Sequence, residues 1–133
     1  QSPALVIGSD QVAACGDEIL TKPQHHAAAT AQLTRVSGQR VVFFTGLCVL
    51  NTQTGRLQSA VERYTVFFRA LTAAQIDNYL SAERPYDCAG SFKAEGLGSA
   101  LFARLEGDDP TALIGLPLIR LVGMLESEGM NVI

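Results

Sequence analysis

The chain is poor in several features that mark whole classes of protein. Its three cysteines, Cys15, Cys48 and Cys88, are odd in number and far apart, with no Cys-x-x-Cys pair. That pattern argues against a disulfide framework and favours a reducing compartment, so a cytoplasmic setting is expected. No apolar run is long enough to span a bilayer, so no membrane partner is expected. The first residues lack a basic stretch ahead of an apolar core, and no signal peptide is expected. Positive charge is also scarce: Lys+Arg 10 against Asp+Glu 13 leaves a net charge of -3. Wholesale nucleic-acid binding needs a basic face and is not expected, whereas a small anionic ligand held by a few local cations is compatible with this balance. No internal repeat, low-complexity tract or linker is present. With 47% hydrophobic and 17% charged residues, the 133 residues read as one folded domain with a real core.

What is present begins with Ala4-Leu5-Val6-Ile7-Gly8-Ser9-Asp10-Gln11-Val12. The short apolar run reads as a buried strand that delivers Asp10 at its C-terminal end, where the crevice of an α/β sheet usually lies. A carboxylate there needs a metal, a reacting water or a cationic partner, because an unpaired charge is costly to desolvate. The alternative is an Asx-turn that closes the strand.

Further along, Cys15-Gly16-Asp17-Glu18 reads as a hairpin turn, and residues 24–37 as a helix with Ala29, Leu33 and Val36 on one face. Gly38 sits at the glycine stop. Residues 40–50 are apolar on both alternating faces, as expected of a strand covered on both sides, and they pair with residues 57–69 in a long antiparallel hairpin. Thr72 to Gln75 form a capping box, with Leu71 and Ile76 as a hydrophobic staple. Residues 86–99 read as irregular and 100–106 as a strand. Asp109-Pro110 starts a helix, and a last helix runs from Pro117 to a stop at Gly129. These units predict an α/β fold with a mixed sheet.

Few side chains stand out chemically. Lys22, in Leu20-Thr21-Lys22-Pro23, precedes a helix and suits a phosphate, although a solvated lysine before a turn is commoner. Ser91-Phe92-Lys93-Ala94-Glu95-Gly96-Leu97-Gly98 gathers Lys93, Glu95 and two glycines into one loop, where the backbone can approach a ligand closely. A surface turn would also explain it. His25 and His26 are adjacent and point to different helix faces, which fits surface residues and not a metal pair. Cys48 reads as core. Cys15 and Cys88 lack a paired base, and Ser9 is not in a nucleophile elbow, so no thiol or hydroxyl nucleophile is expected. Asp108 and Asp109 read as helix caps.

The order of motifs carries more than any one of them. Ser9-Asp10-Gln11-Val12, Leu20-Thr21-Lys22-Pro23, Thr45-Gly46, the loop of residues 90–98 and Ile114-Gly115-Leu116-Pro117-Leu118 follow one another. Together they resemble the Maf family of nucleoside triphosphate pyrophosphatases over essentially the whole chain. The strings from Tyr86 to Gly96 and from Glu106 to Pro117, with Gln11 and Glu95, look like the subgroup acting on 7-methylguanosine triphosphate.

The resemblance implies a Maf/inosine-triphosphatase-like mixed sheet, with a long antiparallel hairpin flanked by helices. It implies cleavage between the α and β phosphates of a nucleoside triphosphate. Asp10 is then the catalytic acid residue, activating water directly or as ligand of a divalent Mg²⁺ or Mn²⁺ ion. Lys22 would neutralise phosphate charge, Lys93 would contact substrate, and Gln11 with Glu95 would choose the base. A guanine methylated at N7 is cationic, and its N1–H and N2–H groups donate to a carboxylate. A glutamine suits a base that needs mixed donor and acceptor contacts.

One departure stands against this. Maf proteins open with a strand, a phosphate-holding Ser-x-Ser-Pro-x-Arg loop and a helix, and nothing here matches them. The resemblance therefore implies an incomplete N-terminal part and little pyrophosphatase activity in this chain alone. Exposed apolar surface would favour association, for example as a homodimer. Two other readings remain: a nucleotide-binding or septum-associated regulatory module without catalysis, and a pyrophosphatase for deaminated purine nucleotides. Gln11 and Glu95 weigh against the latter.

Overall fold

A computed structural model describes residues 2–133. Its centre is a five-stranded sheet in the order β2-β1-β3-β4-β5, formed by β1 (Leu5–Cys15), β2 (Glu18–Leu20), β3 (Arg40–Asn51), β4 (Leu57–Phe68) and β5 (Phe102–Glu106). Helices α1 (His26–Val36), α2 (Ala73–Glu83), α3 (Pro110–Ile114) and α4 (Leu118–Ser127) pack on it. The α/β architecture and the long β3–β4 hairpin are as expected. The mixed sheet is not: all four pairings are antiparallel. Short turns join β1 to β2 and β3 to β4, and a short turn produces only antiparallel neighbours. Gly16, first residue of the β1–β2 turn, has φ 60, the left-handed value that a two-residue hairpin turn demands.

The helices follow their sequence signals. In α1, Ala29, Leu33 and Val36 recur on one face and are fully buried. Burying one such leucine contributes about 2 kcal/mol. The Thr72 capping box of α2 is complete, and Gly38 and Gly129 adopt left-handed φ just beyond α1 and α4. His25 caps α1 by accepting the Ala28 N–H. His26 differs from the surface residue expected. It is half-buried, with Nδ1 2.8 Å from the Tyr86 hydroxyl and Nε2 2.9 Å from Asp77. The irregular segment 86–99 contains two short 3₁₀ turns, Ala89–Ser91 and Leu97–Leu101. No helix among the described residues is long and apolar enough to cross a membrane.

Among the described residues, helices cover one face of the sheet. Cross-strand partners share a face, so Ala13, Phe43 and Tyr64 belong together, as do Leu47 and Ala60. The first set joins α1, α2 and Phe92 in the main core, and the second packs on Leu121 and Met124 of α4. On the opposite face Val6, Val12, Leu57 and Val61 are exposed. Three expectations fail here for one reason. The run Val6-Ile7 is not buried, β3 is buried on one side and half-buried on the other, and Cys48 is half-buried and not core. Apolar composition marks a residue as strand material, but burial depends on which helices cross above it.

Candidate active site

Between the two apolar clusters a polar row crosses the covered face: Gln11, Thr45 and Glu62, paired in register. Thr45 is completely buried. Its hydroxyl donates to the Ala112 carbonyl of α3 at 3.2 Å and accepts from Gln11 Nε2 at 3.0 Å. Gln11 Nε2 also donates to the Ala112 carbonyl at 2.8 Å. Glu62 accepts from Arg120 of α4 at 3.1 Å. A buried polar group without a partner costs about 1–3 kcal/mol, and the row avoids that through the Gln11–Thr45 bond and the bonds to α3 and α4.

Asp10 precedes Gln11 and therefore points the other way. It lies in the middle of β1, not at its end, because pairing continues to Cys15. It faces Gly46 on the open side, is exposed, and accepts the N–H of Gln11 at 2.9 Å. Around it lies an open depression bordered by Gly8, Cys48, Ser59 and Val61. β2 pairs only with the last residues of β1, so the outer edge of residues 5–12 has no partner among the described residues.

Gln11 and Glu95 line a common cavity of about 180 Å³, with Phe43, Cys88, Phe92 and Leu113. That is below the roughly 300 Å³ of a site for a whole drug-sized ligand, and suits a ring system. Glu95 and Lys93 sit in a loop that Gly98 makes possible. The N–H groups of Gly96 and Gly98 both donate to the Lys93 carbonyl, and a Cβ on Gly98 would collide with that same carbonyl. The Lys93 N–H donates to the Tyr79 hydroxyl at 3.0 Å. Burial pushes the Tyr79 phenol up to about 12 despite this bond, so it stays neutral. Burial, with a hydrogen bond to Asp87, also pushes the Cys88 thiol up, which suits a wall of the cavity better than a nucleophile.

Lys22 is exposed and follows Thr21. Gln32 of α1 ties this segment to the Lys93 loop: its Nε2 donates to the Thr21 carbonyl at 2.8 Å, and its Oε1 accepts from Ser91 Oγ. Neither Lys22 nor Lys93 is in an ion pair among the described residues.

Of the two predicted caps, Asp109 is the one used. It is buried, and it holds two helices. Oδ1 accepts from the Thr111 N–H and hydroxyl at the start of α3, and Oδ2 accepts the Ile119 N–H at the start of α4. Burial alone would raise its pKa, but these hydrogen bonds outweigh burial and hold the carboxyl below its ordinary value. Asp109 thereby sets the place of Ala112, on which Gln11 hangs. A second cavity, about 590 Å³, lies at the α4 end of the polar row and is lined by Glu62, Asp108, Asp109 and Arg120. Its three carboxylates, Glu62, Asp108 and Asp109, and its already paired arginine make it a poor place for a polyphosphate.

Residues 1–128 match the family described as Maf-like protein. The chain belongs to the Maf family. It is 58% identical over 130 residues to the 7-methyl-GTP pyrophosphatase of Nitrosococcus oceani, covering 98% of this chain and 65% of that protein. It is 54% identical over 130 residues to that of Colwellia psychrerythraea, again with 98% and 65% covered. Against the Vibrio cholerae protein identity is 55% over 131 residues, with 98% and 68% covered. The chain thus spans 65% of the length of the first two relatives.

In this Maf chain the fold brings Gln11 to Glu95 and Lys22 to the Lys93 loop, but puts Asp10 on the other side of β1. Thr45, Gln32 and Ala112 are site residues that sequence reasoning missed. Thr45 stood only in the Thr45-Gly46 motif of the resemblance, with no role given to it, and its signal was a lone hydroxyl amid Val41 to Leu50. No group of three His, Cys, Asp or Glu side chains that could hold a metal occurs among the described residues. Asp10 is a single exposed carboxylate. That fits a Mg²⁺-type ion, which is usually held by one or two carboxylates together with substrate phosphates and water.

Proposed function

We propose that the protein is a nucleoside triphosphate pyrophosphatase that converts 7-methyl-GTP to 7-methyl-GMP and pyrophosphate. The observation that carries this reading is the cavity shared by Gln11 and Glu95. It is sized for a base and edged by a carboxylate, and a guanine alkylated at N7 is a cation with N1–H and N2–H donors. The names of the relatives support the same substrate.

With the base in that cavity, the triphosphate passes from the covered face of β1 to Asp10 on the other face. Lys22 and Lys93 meet phosphate charge from the neighbouring loops. Asp10 takes a proton from a water whose oxygen attacks the α phosphorus. The bond from that phosphorus to the bridging oxygen breaks, and pyrophosphate leaves with the electron pair. A Mg²⁺ or Mn²⁺ ion carried on the phosphates, with Asp10 as its protein ligand, would neutralise charge there. A reducing cytoplasm suits both the cysteine pattern and this substrate. A homodimer belongs to the same proposal, supported by the open apolar face, and light scattering tests it.

The deciding experiment measures pyrophosphate release from 7-methyl-GTP with Mg²⁺ or Mn²⁺. Release that favours the methylated nucleotide over GTP is expected. Binding of 7-methyl-GMP with no release from any triphosphate would instead support a nucleotide-binding module without catalysis.

A further inference from the structure

We infer that Thr45 is a positioning residue that makes the Gln11 side chain present only an acceptor to the base cavity. The inference rests on the proposed 7-methyl-GTP reading and deepens it. The Gln11 amide is not free to turn. Its Nε2 donates to Thr45 Oγ1 and to the Ala112 carbonyl. The Thr45 hydroxyl has spent its single proton on the Ala112 carbonyl, so toward Gln11 it can only accept. Were the amide reversed, Oε1 would face a carbonyl oxygen and a hydroxyl with no proton to give. Gln11 Oε1 accepts no hydrogen bond among the described residues, and it is the polar atom that Gln11 has left for the cavity it lines.

The polar side-chain atoms offered by Gln11 and Glu95 are therefore all acceptors. Plain guanine has an N7 lone pair that an N–H would satisfy; a guanine alkylated at N7 has lost it and carries positive charge. The held Gln11 oxygen and the Glu95 carboxylate, both acceptors, suit the alkylated ring on both counts. An amide released from Thr45 would also present its N–H, which favours plain guanine.

The test compares dissociation constants of 7-methyl-GMP and GMP by calorimetry for the wild type, Thr45→Val and Thr45→Ser. Thr45→Val removes one of the acceptors that hold the Gln11 amide, leaving the Ala112 and Leu113 carbonyls, and is expected to reduce the preference for the methylated nucleotide about tenfold, roughly the worth of one hydrogen bond. Thr45→Ser keeps the hydroxyl and should restore the preference. A Thr45→Val protein that melts normally and keeps the wild-type ratio would overturn the inference while leaving the proposed function intact. If the wild type binds neither nucleotide, both fall. A second measurement needs no variant. The Gln11 side-chain NH₂ protons should exchange slowly in the wild type, and rapid exchange overturns the inference even if Thr45→Val does not fold.

Discussion

Asp10 and Gln11 are neighbours in sequence and stand on opposite faces of one strand. Asp10 lies across from Gly46 in the open, and Gln11 across from Thr45 beneath α3. A nucleotide that uses both must reach from one face of β1 to the other. The base and the chemistry are then separated by the thickness of a strand, and each can be removed without the other.

Replacement of Asp10 tests that separation. Asp10→Asn should lower the rate of pyrophosphate release at least about a hundredfold, the usual worth of a general base. It should not weaken binding of 7-methyl-GMP, because the base cavity is on the far face. Loss of activity and binding together would show that the two faces do not divide the work.

Glu95→Gln should lower the preference for 7-methyl-GTP over GTP by about tenfold, since a bond to a charged acceptor is worth roughly 1.5–3 kcal/mol. The ratio of kcat/KM for the two substrates measures it. An unchanged ratio would remove Glu95 from base selection.

Asp109→Ala removes the caps of α3 and α4 and should cost about 2 kcal/mol in urea unfolding at pH 7. The wild-type carboxyl lies below its ordinary 3.8 when folded. Its contribution is therefore full above pH 3.8 and is lost as the pH falls through the lower folded value. The gap between wild type and variant should close in that acid range. A gap of constant size down to pH 2 would contradict this assignment.

Gly98→Ala places a Cβ against the Lys93 carbonyl. Overpacking of this kind costs about 1–3 kcal/mol. The melting temperature should fall, and binding of 7-methyl-GMP should weaken because the same turn carries Glu95. A variant with unchanged stability and binding would show that the loop yields easily.

Much of the fold was legible before any coordinates. The α1 stripe, the Thr72 capping box, the Asp109-Pro110 helix start and the β3–β4 hairpin are local signals that depend on residues a few positions apart. The direction of strand pairing was not legible, nor was the side of β3 that is buried. Both depend on where distant helices return to the sheet.

Local signals alone place Asp10 and Gln11 on a strand and Lys93 and Glu95 in a glycine loop, because turns, caps and alternation act over a few residues. They could not determine that Gln11 alone would share a cavity with Glu95. That outcome required α3 to cross the sheet above Thr45, so that the Ala112 carbonyl meets the Gln11 amide from 101 residues away. Contacts at such separation follow from packing and the satisfaction of buried polar groups, which only the assembled fold decides.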